Sequence, residues 1–285
     1  MTLLPAGFQF SQRSLQDYVE CQRRFLLRYI EQISWPAIES EPLMDHESHL
    51  QAGSDFHRLV QRYLIGIPEE RLSASLAPSS VGGDNLQRWW GNFLQESDIQ
   101  PVNDQFVEAT LSAPLHNFRL LATYDLIRWD FGSEGLEVRI YDWKTSLKKP
   151  PRQWLEGRLQ TRVYPYLVTQ AGQALFGEQE LEPESIKMIY WFAEQPREPE
   201  IFAYSTEKFQ ADKKYLLSLV NEIDGLAAEE FHLTGDLAKC KYCTYRSLCD
   251  RGISAGEIEP GDMFDDSPGS DYIDLDFEQI AEIEF

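Results

Sequence analysis

Hydrophobic periodicity predicts a helical first part of the chain. Apolar residues recur every three to four positions in three segments, which is the spacing of amphipathic helices. Ser11 is a suitable N-cap for the first of them, and Trp35-Pro36 ends it. The stretch between the second and third segments, 68–83, has the composition of a loop. The three predicted helices cover 11–33, 47–65 and 84–97.

From residue 105 the apolar spacing changes from 3.6 to 2, which indicates strands. Three strands joined by short turns predict an antiparallel meander. Further along the chain, a helix, two strands and a helix capped by Thr206 complete a single mixed sheet flanked by helices, an α/β fold. The predicted strands are 105–112, 117–129, 136–144, 186–192 and 200–204, and the helices are 152–171 and 206–228.

The third strand ends in Asp142-Trp143-Lys144. Side chains two apart in a strand project from the same face, so the carboxylate and the ammonium lie side by side. Such a pair suits metal-assisted hydrolysis, in which the carboxylate holds a cation and the ammonium orients a water molecule. A surface salt bridge on an edge strand explains the same triplet, and the triplet alone does not decide between the two.

Two further residues are candidates for the same cation. Asp125 interrupts an apolar run in the preceding strand, where an unpaired carboxylate would be costly. A hairpin between the two strands brings Asp125 close to Asp142, and such carboxylates suit Mg²⁺. His57, on the flank of the second helix, would add an imidazole, which Mn²⁺ tolerates better. A lone histidine in that position is more often structural.

Gln160 and Tyr164 lie one turn apart on the following helix and therefore face the same way. Basic residues surround that helix and also mark the first helix, and a phosphate backbone would need such a cluster. A solvated helix face is the alternative explanation. The basic candidates for DNA contact are Arg23, Arg24, Lys148, Lys149, Arg152, Arg158 and Arg162.

The overall charge bears on this interpretation. A formal net charge of −21 argues against nucleic acid, but 11 acidic residues without Lys or Arg lie in 257–285, which leaves −10 for residues 1–256. Large apolar residues alternate with these acids, so the acidic tail is either solvated or docks on the body and shields a basic groove. No apolar run approaches the roughly 18 residues of a membrane helix, and residues 1–10 lack signal-peptide features. A cytoplasmic protein without membrane contact is expected.

The four cysteines, Cys21, Cys240, Cys243 and Cys249, are too few for a disulfide scaffold, and cytosolic thiols stay reduced. Metal binding is the first hypothesis. Structural zinc sites usually show two C-x-x-C knuckles, whereas this chain has one. Four thiolates can instead hold a [4Fe–4S] cluster. Zn²⁺ stays open as the alternative.

The order His57, Asp125, Asp142-x-Lys144, Gln160-x-x-x-Tyr164 resembles the RecB-like branch of the PD-(D/E)XK nucleases, whose relatives include the AddB nuclease and CRISPR-associated RecB-like nucleases. The opening Ser14-Leu15-x-x-Tyr18-x-x-Cys21-x-Arg23-Arg24-Phe25 also resembles that branch. Two positions depart from its pattern: Ala122 stands where glycine is usual, and Gln22 where proline often follows the first cysteine.

The resemblance implies a restriction-endonuclease-like core over 101–235, preceded by a helical region over 1–100 and followed by a cysteine segment over 236–256 and the tail over 257–285. It implies that His57, Asp125, Asp142 and the carbonyl of Trp143 bind Mg²⁺ or Mn²⁺. Lys144 would position the attacking water, and Gln160 and Tyr164 would touch substrate. Glu108 matches a glutamate often present in the first strand, without a definite role. One cysteine before the core and three after it match members that carry a [4Fe–4S] cluster.

The expected activity is a metal-dependent DNA nuclease, an exonuclease on single-stranded DNA or DNA ends that acts in repair, recombination or CRISPR-type defence. The alternative is a catalytically silent, Fe–S-stapled subunit that binds DNA or assembles into a complex. The sequence contains no helicase motif, so an unwinding partner would be a separate chain.

Overall fold

The sheet has six strands, and its central strand, β3, is the longest. The computed structural model describes residues 2–34, 41–76, 83–95, 99–132, 135–176, 181–241 and 243–252, with the side chains of 41–47, 83–84 and 173–174 excepted. The hypothesis on the tail therefore lies outside the described residues. The strands are β1 (Gln9–Ser11), β2 (Gln105–Leu115), β3 (Phe118–Gly132), β4 (Gly135–Lys144), β5 (Ile186–Phe192) and β6 (Glu200–Ala203).

The pairing of β3 leaves a gap on one of its two edges. β2 is antiparallel to β3 and occupies one edge over residues 118–128. On the opposite edge, β1 pairs in parallel with 119–121 and β4 pairs antiparallel with 126–132. Residues 122–125 therefore lie between two neighbouring strands on that edge. β5 continues the sheet parallel to β4, and β6 is antiparallel to β5.

Helices cover both faces of the sheet and bury two hydrophobic cores. One core lies between the sheet and α1, α7 and α8, and includes Leu15, Leu167 and Leu216. The second lies between the other face and α3 and α5, and includes Phe56 and Trp89. The helices are α1 (Gln12–Glu20), α2 (Gln22–Phe25), α3 (Glu41–Leu64), α4 (Glu69–Ala74), α5 (Gly83–Leu94), α6 (Arg152–Gly157), α7 (Leu159–Phe176) and α8 (Thr206–Gly225).

The predicted α/β class, with a mixed sheet and a β-meander flanked by helices, is confirmed, while several local predictions are wrong. The helix predicted over 11–33 is broken at Cys21, whose backbone is extended (φ −162°, ψ 103°). The break frees the N–H of Arg23 to bond the carbonyl of His232 at 3.0 Å. A π-helical turn, Leu26–Ile30, then ends this region. Ser11 is the N-cap, as predicted, and forms a capping box with Ser14.

The helix predicted over 152–171 is also interrupted, because Arg158 is extended (φ −72°, ψ 142°). The second part, α7, begins at Leu159, whose N–H bonds the side-chain carbonyl of Gln16 at 3.1 Å. Gln160 therefore lies in the first turn of a helix, whose amide groups need partners from outside the helix.

The remaining differences are smaller. The loop predicted between residues 68 and 83 contains α4, and the N-cap of α8 is Ser205 and not Thr206, since the Ser205 side chain accepts from the N–H of Lys208. β1 was not predicted. Within the described ranges, none of the helices combines the length and the apolar character that crossing a bilayer requires.

Candidate active site

The site lies where β3 and β4 separate. Their last paired residues are Leu126 and Tyr141, so Asp125 and Asp142 occupy the next position and face each other across the gap. Asp125 fills part of the gap, because its Oδ2 accepts the backbone N–H of Trp143 at 2.7 Å. The hairpin predicted from the sequence does bring the two strand ends together.

His57 reaches the gap from α3. Its Nδ1 lies 3.1 Å from Oδ1 of Asp125. Close packing fixes this helix against the end of β4, since a Cβ atom on Gly53 would lie 2.8 Å from Oγ1 of Thr145. Gly53 precedes His57 by four residues, and Thr145 directly follows Lys144. The glycine thus sets the distance between the histidine and the strand end.

On the other side of the gap, Lys144 bridges two polar groups. Its Nζ lies 2.9 Å from Oδ2 of Asp142 and donates to Oε1 of Gln160 at 3.2 Å. Gln160 also donates through Nε2 to Oδ1 of Asp142. The ammonium lies 5.6 Å from the ring centroid of Tyr190 on β5. These contacts hold Lys144 in one orientation, and its side chain is only 10% exposed.

Tyr164 lies behind Gln160, buried against β3. Its ring centroid is 4.6 Å from that of Tyr124, and its backbone carbonyl accepts the Tyr124 hydroxyl at 2.9 Å. Burial, together with the charges of Asp142 and Asp125, raises the pKa of Tyr164 well above its usual value. Tyr164 is therefore a neutral hydroxyl at the site.

Burial and the charges of neighbouring groups change the pKa values of the titratable residues at the site. Burial raises the pKa of Asp142 to about 6, although Lys144 opposes the shift. Burial and then the charge of Asp125 raise the pKa of Glu108 to about 8. For His57, burial lowers the pKa, but the charge and hydrogen bond of Asp125 together with the charges of Glu108 and Asp142 outweigh burial, and the pKa rises to about 9. The raised pKa values of Asp142 and Glu108 mean that negative charge on these carboxylates is disfavoured. A bound cation would stabilise their ionised forms.

The residues fit a divalent cation. His57, Glu108 and Asp125 each place one potential ligand atom so that all three lie within 4.8 Å of one another. The second ring nitrogen of His57, Nε2, is buried and has no hydrogen-bond partner among the described residues. Carboxylate and imidazole donors suit Mn²⁺, and carboxylates suit Mg²⁺.

Comparison with known families identifies this arrangement. The model of the PD-(D/E)XK nuclease superfamily matches residues 9–250. The chain belongs to the PD-(D/E)XK nuclease superfamily. The fold is therefore that of a nuclease superfamily whose members use divalent metals.

Solved structures support the fold of this PD-(D/E)XK protein. A crystal structure of a Eubacterium rectale protein, which carries the provisional name of an exonuclease, superposes with a TM-score of 0.50 at 9% sequence identity. The superposition covers 90% of this chain and 92% of the other. No curated protein matches the chain significantly. At this identity the likeness concerns the fold alone.

Three of the basic residues predicted to contact DNA lie near α1. Arg24 and Arg158 both pair with Glu20, at 2.6 and 2.9 Å, and both side chains are largely buried. Arg23 is half-buried. Glu20 is thus a shared partner for two cations that were predicted to bind phosphate.

The other four lie after β4, at the start of α6 and on α7. Lys149 and Arg152 pair with Glu200 at 2.7 and 2.6 Å, and Arg162 lies 3.4 Å from a buried carboxylate on α8. Lys148 is exposed. DNA contact by these side chains stays a prediction.

The four cysteines lie near one another at the end of α1. Burial raises the pKa of Cys240, and the charges of Cys21 and Cys243 raise it further. The pKa of Cys249 is raised by burial and then by Cys243 and Cys21. None of the four forms a disulfide. A cationic centre would stabilise thiolates that repel each other in this way.

The segment that carries three of these cysteines is fixed to the start of the chain. The N–H of His232 bonds the side-chain carbonyl of Gln22 at 3.3 Å, and the rings of Phe25 and Phe231 stack with centroids 6.1 Å apart. Gln22, at a position where proline is common in RecB-like members, therefore has a structural contact of its own.

Sequence reasoning missed three contributors to the site. Gly53 lies in the helix predicted over 47–65, but its close packing against the end of β4 was not predicted. Tyr190 lies in the strand predicted over 186–192, but its position beside Lys144 was not predicted. The contact of Thr145 with α3 has no signature in the sequence.

Substitution of Gly53 tests the packing of α3. Because Thr145 is buried, the methyl group of G53A should push α3 away from β4 and separate His57 from Asp125, and displacements of this size cost up to about a hundredfold in rate. We expect metal-dependent cleavage to be about tenfold slower than in the wild type, or slower still. The matched control is G91A on α5, where no atom lies within 4 Å of the added Cβ. Equal rates for both variants would contradict the packing argument.

The raised pKa values predict how metal binding depends on pH. A cation binds carboxylate and neutral imidazole, so protons on Asp142 (pKa about 6) and His57 (pKa about 9) compete with it. Affinity for Mn²⁺ should rise as the pH increases from about 6 to about 9. Calorimetric titration at several pH values measures this, and an affinity that stays constant over the range would be the contrary result.

Proposed function

We propose that this protein is a metal-dependent deoxyribonuclease that digests single-stranded DNA or DNA ends as an exonuclease. The convergence of Asp125, Asp142, Lys144 and His57 on one gap between β3 and β4 is the observation that carries the proposal. Residues from α3, β3 and β4 contribute the acid, base and cationic groups that phosphodiester hydrolysis needs.

The ligands proposed for Mg²⁺ or Mn²⁺ are His57, Asp125, Asp142 and the carbonyl of Trp143. In a strand, the N–H and C=O of one residue point to the same edge, and the N–H of Trp143 points to Asp125, so its carbonyl faces the gap as well. The bound ion would lower the pKa of a water molecule and polarise the scissile phosphate.

Lys144 would align the water for in-line attack. Gln160 and Asp142 fix its ammonium, so little side-chain entropy remains to be lost when substrate binds. Tyr164 and Gln160 lie on the first turns of α7, where their polar groups would contact the phosphate or sugar of the nucleotide being cleaved.

The arrangement of charges favours a short single-stranded segment or an end over a long duplex. Of the seven basic residues predicted to contact DNA, five pair with carboxylates and are less available to a phosphate backbone: Arg24, Lys149, Arg152, Arg158 and Arg162. Tight binding along a duplex requires many such cations. Single strands bind through stacking of bases on aromatic side chains combined with a local basic groove.

The cellular role proposed is DNA repair, recombination or CRISPR-type defence, with any helicase supplied by a separate protein. A catalytically silent DNA-binding or complex-forming subunit is the competing function. The complete set of acidic and basic groups at the gap opposes it, because a structural subunit has no need for buried carboxylates with raised pKa values.

We further propose that Cys21, Cys240, Cys243 and Cys249 hold a [4Fe–4S] cluster. Tetrahedral zinc, with Zn–S bonds of about 2.3 Å, would bring sulfur atoms to about 3.8 Å from one another. Among the described residues, only His57, Glu108 and Asp125 form a three-donor group within 4.8 Å, so no three of the four sulfur atoms lie that close to one another. A larger cluster accommodates that spacing.

Replacement of the catalytic pair tests the nuclease function. D142N and K144A should each lower the cleavage rate of end-labelled DNA with Mg²⁺ or Mn²⁺ by about a thousandfold or more, because each removes a charged group at the reacting phosphate. The matched control is K187A. It breaks the 2.6 Å surface ion pair between Lys187 on β5 and Glu137 on β4, the strand that also carries Asp142 and Lys144. Its rate should equal that of the wild type.

A wild-type protein that cleaves neither single nor double strands with either metal would refute the nuclease proposal and favour the silent subunit. Thermal unfolding of each variant separates loss of chemistry from loss of folding, because D142N retains the shape of the side chain that it replaces.

The cysteine proposal is tested by metal analysis after purification without air. The wild type should be brown and contain about four iron atoms per chain, while C249S and C21S should lose most of the iron and the colour. A colourless wild type with one zinc ion would contradict the cluster, and a wild type with neither metal would contradict any metal site on these cysteines.

A further inference from the structure

Glu108 has a backbone conformation that is unusual for a strand. It lies in the middle of β2, yet its φ is +52°, in the left-handed region that residues other than glycine rarely adopt. Strain of this kind persists only where the surrounding structure enforces it, and it is concentrated at functional sites. The carboxylate of Glu108 is therefore held in place at an energetic cost.

The alternation of side chains along β2 reverses at Glu108. After it, Leu111 and Leu115 belong to the core beneath α7 and α8. Before it, Phe106 packs against that core while Val107 packs against the other, beneath α3 and α5. Odd-numbered residues thus face one core on one side of Glu108 and the opposite core on the other.

The same reversal occurs in β3, at Asp125. Leu120 and Tyr124 face the core beneath α7, but Leu126 belongs to the core beneath α3 and Ile127 to the first one again. Asp125 therefore belongs to neither face, and it points into the gap between β3 and β4, as its bond to the Trp143 N–H requires.

The two reversals lie opposite each other. Val107 pairs with Leu126 and Ala109 pairs with Tyr124, while Glu108 and Asp125, which lie between these pairs, are left out of the ladder. Two carboxylates at directly opposite positions repel each other. The left-handed backbone at Glu108 has a conformational cost, and the proximity of the two carboxylates adds an electrostatic cost.

A cation explains why both costs are retained. The turn of the backbone at Glu108 places its carboxylate within 4.8 Å of the donor atoms of His57 and Asp125. Oδ1 of Asp125 lies 3.1 Å from Nδ1 of His57, and its Oδ2 accepts the N–H of Trp143 on β4. Asp125 therefore lies between Glu108 on β2 and the gap that contains Asp142. We infer that Glu108 is a direct ligand of the divalent cation, held for that role by its left-handed backbone.

This inference rests on the proposed metal-dependent function, but binding can be measured without DNA and without catalysis. E108Q retains the side-chain length and removes the charge. E108G removes the ligand and relieves the backbone, since glycine adopts a positive φ readily. The control is H116G, because His116, exposed at the turn between β2 and β3, also has a positive φ, of +56°, and lies outside the site.

In calorimetric titrations with Mn²⁺, E108Q and E108G should bind at least about tenfold more weakly than the wild type, and H116G should bind as tightly as the wild type. Mn²⁺ should raise the thermal unfolding midpoint of the wild type and of H116G more than that of either Glu108 variant. Without metal, E108G should unfold no lower than the wild type, which shows that its weaker binding is not misfolding.

Wild-type affinity in E108Q and E108G would overturn the assignment of Glu108 and leave the nuclease proposal intact. A wild type that binds no Mn²⁺ would overturn both. A wild type that binds Mn²⁺ through Glu108 but cleaves no DNA would overturn the nuclease proposal alone.

Discussion

The hydrogen bond from the Trp143 N–H to the Asp125 carboxylate is the interaction on which the site depends. A regular ladder would continue between β3 and β4, and each backbone donor would find a carbonyl on the neighbouring strand. Here a side-chain oxygen takes that place, at 2.7 Å, so the strands separate without leaving a buried donor unpaired. Asp142 and Lys144 lie at this separation, and His57 reaches it from α3.

The cysteine region and the catalytic gap are connected through α1. Glu20 accepts from Lys239, in the cysteine segment, at 3.2 Å and from Arg158, just before α7, at 2.9 Å. Gln16, one turn earlier, accepts the first N–H of α7, and α7 carries Gln160. Loss of the cysteine centre would therefore loosen the start of the helix that orients Lys144. The basic residues have a structural role in this network, whatever their role toward DNA.

The sequence was sufficient where local periodicity governs the structure. Alternation in β4 correctly placed Asp142 and Lys144 on one face, and the predicted bounds of β5 are those observed, 186–192. It was insufficient where distant contacts govern the backbone. The break at Cys21 depends on His232, more than two hundred residues away, and no proline or glycine announces it. The left-handed backbone at Glu108 likewise has no signal, because glutamate is an ordinary strand-surface residue. Ion pairs such as Arg158 with Glu20 join separate elements, so the sequence could not show that several residues predicted to contact DNA have acidic partners.

Diffraction from crystals soaked in Mn²⁺, with data collected to reveal anomalous scattering, tests the central claim most directly. The account predicts an anomalous peak from a Mn²⁺ ion where β3 and β4 separate. Asp125, Asp142, His57 and Glu108 should be the residues next to this ion. A peak elsewhere on the molecule, or a gap that stays empty at saturating Mn²⁺ and neutral pH, would contradict it.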